Sequence, residues 1–441
     1  MPSFYDVLYA TGLVVASPVL LAKSKLRNKV RHAFAHRDGR VAPRQGDRPC
    51  VLIHGVSVGE VNAARPLVER LTPHAQVAVA STTETGYERA TSLFGTDTAA
   101  GVFATRFPID TSRAVGRFLD AIRPNVLASM ELELWPNLVR VCRKRGVPVI
   151  VVNGRITTSS FRQYRRFGPL VRPMFRGATG VLAQDETYAD RFRQLGMPVE
   201  KVRVAGSLKF DAAPTKTDVD GANTFAQELG LNPRRLGGTE PTLVAGSTGP
   251  AEEAIILDAF DRLRQDVPGL RLVIVPRHPP RFDEVADLIR RRHPLTRRTR
   301  ETVEGGVVLV DTMGELRKAW RLADVAVIGR TLVDLGPRQH GSDLLEPAAL
   351  GSPVVTGPFF ANFDAPTRAL LNAGGAVLAA EADQLVEHAR HLLSDPDAAA
   401  TQSQAARHTI DTHRGVADGT VRYLLNCLPD ATEMPRQGLE P

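Results

Sequence analysis

The chain has 441 residues, 43% hydrophobic, 24% charged and 6% aromatic, which at about 100–200 residues per domain argues for two or three globular domains and against a disordered or fibrous chain. Its 56 Lys and Arg against 48 Asp and Glu leave a formal charge of +8, which favours phosphates, an anionic membrane or nucleic acid as partners. Few aromatics and no RNP-like or finger motif set nucleic acid aside, and the widely separated Cys50, Cys142 and Cys427 argue against a disulfide framework or zinc knuckle.

The amino-terminal elements come first in chain order. Residues 7–22 carry no charge and are followed by Lys23, Lys25, Arg27, Lys29, Arg31, Arg37 and Arg40. A spanning helix takes about 20 apolar residues, so this run, interrupted by Gly12 and Pro18, either spans once or lies in the interface. A cleaved signal peptide carries its positive charge before the apolar stretch; here Asp6 precedes it and the lysines follow, which reads as a retained anchor. The positive-inside bias places the basic segment and all that follows in the cytoplasm, where anionic headgroups strengthen the attachment. The other reading of the run is a helix buried on the body of the protein.

Short β-branched runs then alternate with helical patterns at 50–54, 76–80, 125–129 and 147–152, and again at 242–245, 270–275, 307–310, 324–328 and 352–355. Such runs are buried parallel strands by pattern. Between the two series, residues 211–241 are rich in Pro, Gly, Asp and Thr and read as a linker with a short helix at 224–229. The expected architecture is two doubly wound, Rossmann-like α/β domains facing a cleft. Its divisions are an anchor and basic segment at 1–40, an amino-terminal domain at 41–211, a linker at 212–241, a carboxyl-terminal domain at 242–425 and a tail at 426–441. Ligands of such sheets bind beyond the carboxyl ends of the strands. Neither half shows GxGxxG after its first strand, which lowers the odds of a dinucleotide oxidoreductase.

The strand-end turns carry the candidate chemistry. In HGVSVGE (54–60), Ser57 and Glu60 make an S-x-x-E capping box; the competing reading makes Glu60 a general base at a glycine-rich turn. The turn 81–86 (STTETG) offers N–H groups at a helix start to an anion. MELELWPN (130–137) sets Glu131 and Glu133 at a strand's carboxyl end, where carboxylates are either functional or solvated. Arg277, after Pro276, suits a phosphate; its competing reading is an exposed turn arginine. Thr312 and Glu315 form a second capping box by pattern, heading a helix with Leu316, Trp320 and Ala323 on one face. Glu346, in DLLEP (343–347), stands at a helix entry where a carboxylate accepts hydrogen bonds from a ribose diol. The DxD spacings 218–220 and 395–397 fall in the linker and a loop, so no metal or other cofactor is expected, and Lys209 and Arg277 with helix starts would stabilise a phosphate leaving group.

Together the motifs resemble the 3-deoxy-D-manno-octulosonic acid (Kdo) transferases of lipopolysaccharide synthesis, inner-membrane glycosyltransferases of GT-B fold. The resemblance runs in order through HGVSVGEVNAARPLVERL, MELELWPN, VVNGRITTSSFRQYRRF, AQDETYADRFRQLGMPVEKVRVAGSLKFD, VPRHPPRFDEV, DTMGELRKAWRLADVAVIG and LLEPAALGSPVVTGP. It implies inverting transfer of Kdo from CMP-Kdo to a lipid A precursor, lipid IVA, at the cytoplasmic face of the inner membrane. It makes Glu60 the base and Glu131 and Lys209 transition-state stabilisers. It puts CMP contacts on Pro276, Arg277, Met313, Gly314, Glu315, Asp343, Leu344, Leu345 and Glu346.

The chain departs from the family's pattern in three places. A short GG-H-N-P-L-E segment is here the longer run 329–346, with Asp343 for the asparagine and Leu344 for the proline. The Ser-Thr-His turn reads Ser247, Thr248, Gly249, and the segment before Lys209 has Ser207 in place of asparagine. These departures leave open a GT-B transferase with another nucleotide-sugar donor, or an inactive membrane-associated nucleotide-binding protein. The basic cluster Arg162, Arg165, Arg166, Arg172 and Arg176 is either a meeting place for lipid phosphates or a solvated helix face.

Overall fold

The computed structural model describes residues 3–22, 37–300, 303, 305–336 and 339–429, so the basic stretch from Lys23 to Arg31 lies outside the described residues. The chain forms two compact bodies, Met1–Ala212 with Gly415–Pro441, and Ala213–Arg414.

The first body is built on β1 (Cys50–Gly55), β2 (Gln76–Ser81), β3 (Val102–Arg106), β4 (Val126–Met130), β5 (Val149–Gly154), β6 (Gly180–Ala183) and β7 (Val202–Val204). They form one sheet in the order β3-β2-β1-β4-β5-β6-β7, and each pair is parallel. Successive side chains of a strand point to opposite faces. Cys50 and Leu52 therefore pack with Phe103, Phe118 and Phe175 on one face, while Val51 and Ile53 pack with Val61, Leu67 and Leu71 on the other. Burial on both faces is why these strands read as continuous apolar runs. The order reverses between β1 and β4, the point where such sheets open a binding crevice beyond the strand ends.

The second body repeats the plan with β8 (Thr242–Thr248), β9 (Arg271–Pro276), β10 (Leu295–Arg297), β11 (Val307–Leu309), β12 (Val325–Ile328), β13 (Val354–Thr356) and β14 (Val377–Leu378). Their order is β10-β11-β9-β8-β12-β13-β14, again parallel throughout.

Two expected boundaries are corrected. Residues 213–241 belong to the second body; the short helix expected there is Ala222–Glu228, with Phe225 buried, so the segment packs rather than links. The helix Val416–Leu425 belongs to the first body, because Val416, Ala417, Val421, Leu424 and Leu425 complete the core around Val61 and Leu67.

The amino-terminal run is the helix Phe4–Ala22. It is not buried as a core helix would be: Phe4, Val7, Leu8 and Leu13 are exposed. Polar bonds tie its start down instead. Asp6 accepts from the Ser112 amide at 2.9 Å and from Asn137 Nδ2 at 3.1 Å, and Tyr9 donates to Asp110 at 2.9 Å. Among the described residues no helix is long and apolar enough to cross a membrane.

Candidate active site

Glu60 is the third residue of the helix Val58–Leu71, whose N-cap is Ser57. Both readings of its pattern meet in one geometry. The Ser57 hydroxyl accepts from the Glu60 amide at 3.3 Å and donates to Glu60 Oε1 at 2.9 Å. A capping-box glutamate reaches back to the N-cap amide; here Oε2 takes the amide of Val56, one residue earlier, at 2.9 Å. The turn is held from behind as well, because the Val56 carbonyl accepts from the Thr83 amide and the Thr83 and Ser81 hydroxyls. The hydroxyls of the 81–86 turn thus hold the Glu60 turn in place. Gly55 allows the approach, since a Cβ there would stand 3.2 Å from Glu60 Cβ.

Burial pushes the Glu60 carboxyl up to about 7, and the charges of Glu131 and Glu133 add to the shift against the hydrogen bonds from Val56 and Ser57. That value is suited to a proton acceptor near neutral pH. Glu131 follows β4 in the left-handed region, at φ 52°, a conformation that costs a non-glycine residue about 1 kcal/mol or more. Its amide donates to Val152 on β5 at 3.0 Å, and its carboxylate lies 3.9 Å from Arg155 Nη1. Burial raises Glu133, which accepts from Trp135 Nε1 at 2.9 Å. His54, at the end of β1, is stacked on Phe107 and held neutral by burial, which lowers it to about 3.

Lys209 lies on the short helix Leu208–Ala212, and Asn153 ties that helix to the strand ends. Asn153 sits near the end of β5 at φ 55°, and its Oδ1 accepts the Leu208 amide at 3.1 Å. The donor fixes the orientation of the side-chain amide, which leaves Nδ2 as the buried atom without a partner among the described residues. Asp211 of the same helix caps the return helix, accepting the Gly415 and Ala417 amides at 2.9 Å. Glu60, Glu131 and Lys209 are therefore brought to the carboxyl ends of β1, β4 and β5 or onto an element bonded to them.

In the second body Pro276 and Arg277 stand at the carboxyl end of β9, Met313 to Glu315 between β11 and the helix Leu316–Leu322, and Asp343 to Glu346 at the entry of the helix Leu345–Ala349. Pro276 closes β9, and the exposed Arg277 donates its amide to the Thr248 carbonyl at 3.0 Å. Arg330, just past β12, was not foreseen. Burial, and then the charge of Arg277, hold its guanidinium below the ordinary value, and the same causes lower His278. The charges of Arg277 and Arg330 are therefore near enough to act on one another and on His278.

The second capping box is not a helix cap. Gly314 takes φ 88°, so the helix starts only at Leu316 with Glu315 as its N-cap. Glu315 instead accepts from Thr312 and pairs with Arg298 and Lys318; these bonds outweigh burial and hold its carboxyl low. Met313 is 66% exposed.

Asp343 accepts the Leu345 amide at the start of the helix Leu345–Ala349. Leu344 and Leu345 are buried side chains, so only their backbone is available to a ligand. Glu346 is raised to about 7 by burial and then Asp343, with Arg317 opposing from 4.0 Å. The base of the long loop hangs on buried Glu252, whose carboxylate takes the amides of Gly249, Arg330, Thr331 and Leu332 at 2.6–2.8 Å.

A family model described as 3-Deoxy-D-manno-octulosonic-acid transferase (kdotransferase) matches residues 29–212. The 3-deoxy-D-manno-octulosonic acid transferase of Haemophilus influenzae is 31% identical, over 92% of this chain and 95% of its own length. That of Bordetella pertussis is 34% identical, over 88% and 89%. The chain belongs to the Kdo transferase family. A UDP-GlcNAc 2-epimerase structure from Neisseria meningitidis, 14% identical, covers 86% of this chain and all of its own with a TM-score of 0.57, which shows a shared fold of two parallel-sheet domains.

For this Kdo transferase, reading the sequence missed Asn153, Arg330 and Glu252. Asn153 carried a signal, an Asn-Gly pair closing an apolar run. Glu252 and Glu253 open a helix as acidic pairs commonly do, which hides that one of them holds a loop. Nothing local distinguishes Arg330.

Proposed function

We propose that this Kdo transferase moves Kdo from CMP-Kdo to a hydroxyl of a lipid A precursor, lipid IVA, with inversion and with Glu60 as general base. The acceptor oxygen bonds to the anomeric carbon as the bond from that carbon to the CMP phosphate breaks. The hydroxyl proton passes to Glu60, and CMP leaves with the electron pair. Glu131 and Lys209 stabilise the charge that develops. Arg277 and Arg330 meet the phosphate, the backbone of Met313, Gly314, Leu344 and Leu345 lines the cytidine with Pro276, Glu315 and Asp343, and Glu346 takes the ribose hydroxyls.

The observation that carries this reading is the Glu60 carboxylate. Two donors hold it at 2.9 Å, and burial raises it to about 7, so it is positioned and its acidity is weakened toward the range of a general base. The helix Phe4–Ala22 attaches the enzyme to the cytoplasmic face of the inner membrane, with Phe4, Val7, Leu8 and Leu13 exposed to the interface.

The test is Glu60→Gln, which preserves a carbonyl acceptor for the Val56 amide. Transfer should fall by about 100-fold or more while CMP, and not UDP, still raises the thermal midpoint. Undiminished transfer would remove Glu60 as the base, and protection by UDP alone would move the donor assignment to another nucleotide sugar.

A further inference from the structure

The second body has a cavity of about 310 Å³ lined in part by Arg234, Arg235, Arg407, Asp324, Gly351 and Ser403. It lies at the amino ends of the strands: Asp324 immediately precedes β12 and Pro353 immediately precedes β13. The residues proposed for CMP follow the carboxyl ends, so this cavity is at the opposite edge of the sheet.

Its arginines converge without a matching set of carboxylates. A Cβ on Gly351 would stand 3.4 Å from Arg235 Nη2 and 3.4 Å from Arg407 Nη2, so the two guanidinium nitrogens are at most twice that distance apart. Among the described residues, none of Arg234, Arg235 and Arg407 forms an ion pair within 4.0 Å, and the one carboxylate that acts on Arg234 and Arg235 from a distance is Asp324. The carboxylate in the cavity, Asp324, accepts the Thr242 amide at 2.8 Å.

Arg235 is anchored through that same Nη2, which gives one of its two protons to the Leu350 carbonyl at 2.8 Å, while its Nε is buried without a partner among the described residues. Burial, and then Arg321 and Arg407, hold its guanidinium below the ordinary value against the pull of Asp324. The helix Pro396–Thr412 also begins here, but Asp395 already takes its Asp397 and Ala398 amides, which leaves the arginines as the donors. Like charges brought this close repel, and a doubly charged, multiply accepting oxyanion bridging two planar guanidinium forks relieves the repulsion.

We propose that this cavity is a second anion site, which binds a phosphate or phosphomonoester dianion between Arg235 and Arg407 with Arg234 at its mouth, separate from the donor site. The test is thermal unfolding of the full chain in inorganic phosphate and in pyrophosphate, against chloride at equal ionic strength. Phosphate should raise the midpoint by mass action. The double variant Arg234→Gln/Arg407→Gln, which removes two exposed side chains, should weaken the response at least about tenfold, while Arg277→Gln at the donor site should keep it.

No rise in the native chain, a rise that survives the double variant, or a rise lost with Arg277→Gln would each overturn the proposal. Short-chain phosphatidic acid below its micellar concentration separates the two sources of the anion. Protection at lower concentration than inorganic phosphate assigns a lipid headgroup, and protection no better than phosphate assigns a soluble one.

Discussion

Glu60 shows how one side chain serves two ends. Its bonds to Val56 and Ser57 begin a helix, and the same burial that aligns the carboxylate weakens its acidity. Because the folded value lies above the ordinary one, the stability that Glu60 contributes is present at acid pH and lost as pH rises through about 7. Activity runs the other way, since the base must be ionised, so kcat/KM should fall as pH drops below about 7. Glu133 is one of the charges that raise Glu60. Glu133→Gln should therefore move the acid limb of that profile to lower pH, and an unmoved limb would show that Glu133 does not act on the base. Asn153 makes a second residue-scale prediction. It combines a left-handed backbone with an acceptor for the Leu208 amide, and two variants separate these jobs. Asn153→Gly relieves the backbone and loses the acceptor, while Asn153→Asp keeps the acceptor. If the acceptor positions Lys209, the glycine variant should lose about tenfold in kcat and the aspartate variant should recover most of it. Recovery by glycine instead would mean that only the backbone conformation matters.

At the scale of elements, the helix Pro136–Lys144 is informative because its N-cap, Trp135, makes no side-chain capping bond. Asp110, 27 residues away in sequence, supplies the cap by accepting the Asn137 and Leu138 amides at 3.0 and 2.8 Å, and it also accepts from Tyr9 of the amino-terminal helix. Asp110→Ala should lower the unfolding free energy by about 1–2 kcal/mol, measured by denaturant titration, and a change near zero would show that water replaces the carboxylate. A cap that arrives from another element leaves no local sequence signal. The strands divide along the same line. Those at the middle of each sheet, β1, β2, β4 and β5, and β8, β9, β11, β12 and β13, were legible as apolar runs because both faces are buried. The four edge strands β3, β7, β10 and β14 were not, nor was β6 beside an edge. Edge strands bury less: β7 exposes Arg203 and Val204, and β10 opens and closes on half-buried residues. The capping pattern at Thr312 misled because Gly314 turns the backbone left-handed before the helix starts.

Across the whole molecule, the chain builds the first body, leaves to build the second, and returns at Gly415 to finish the first. No composition shift marks that return, since a helix that closes a core carries the same apolar stripe wherever its partner lies, and so the boundary at 425 was misplaced. Glu60, Glu131 and Lys209 stand in strand-end motifs and Asn153 in an Asn-Gly pair, whereas Arg330 becomes visible only once strand ends are brought together. What the assembled chain does is read by giving the purified protein CMP-Kdo and lipid IVA and following the lipid by mass spectrometry. The lipid should become heavier by one or more Kdo units, with CMP released in equal number. An unchanged lipid, with CMP-Kdo intact, would rule out Kdo transfer to this acceptor by this chain.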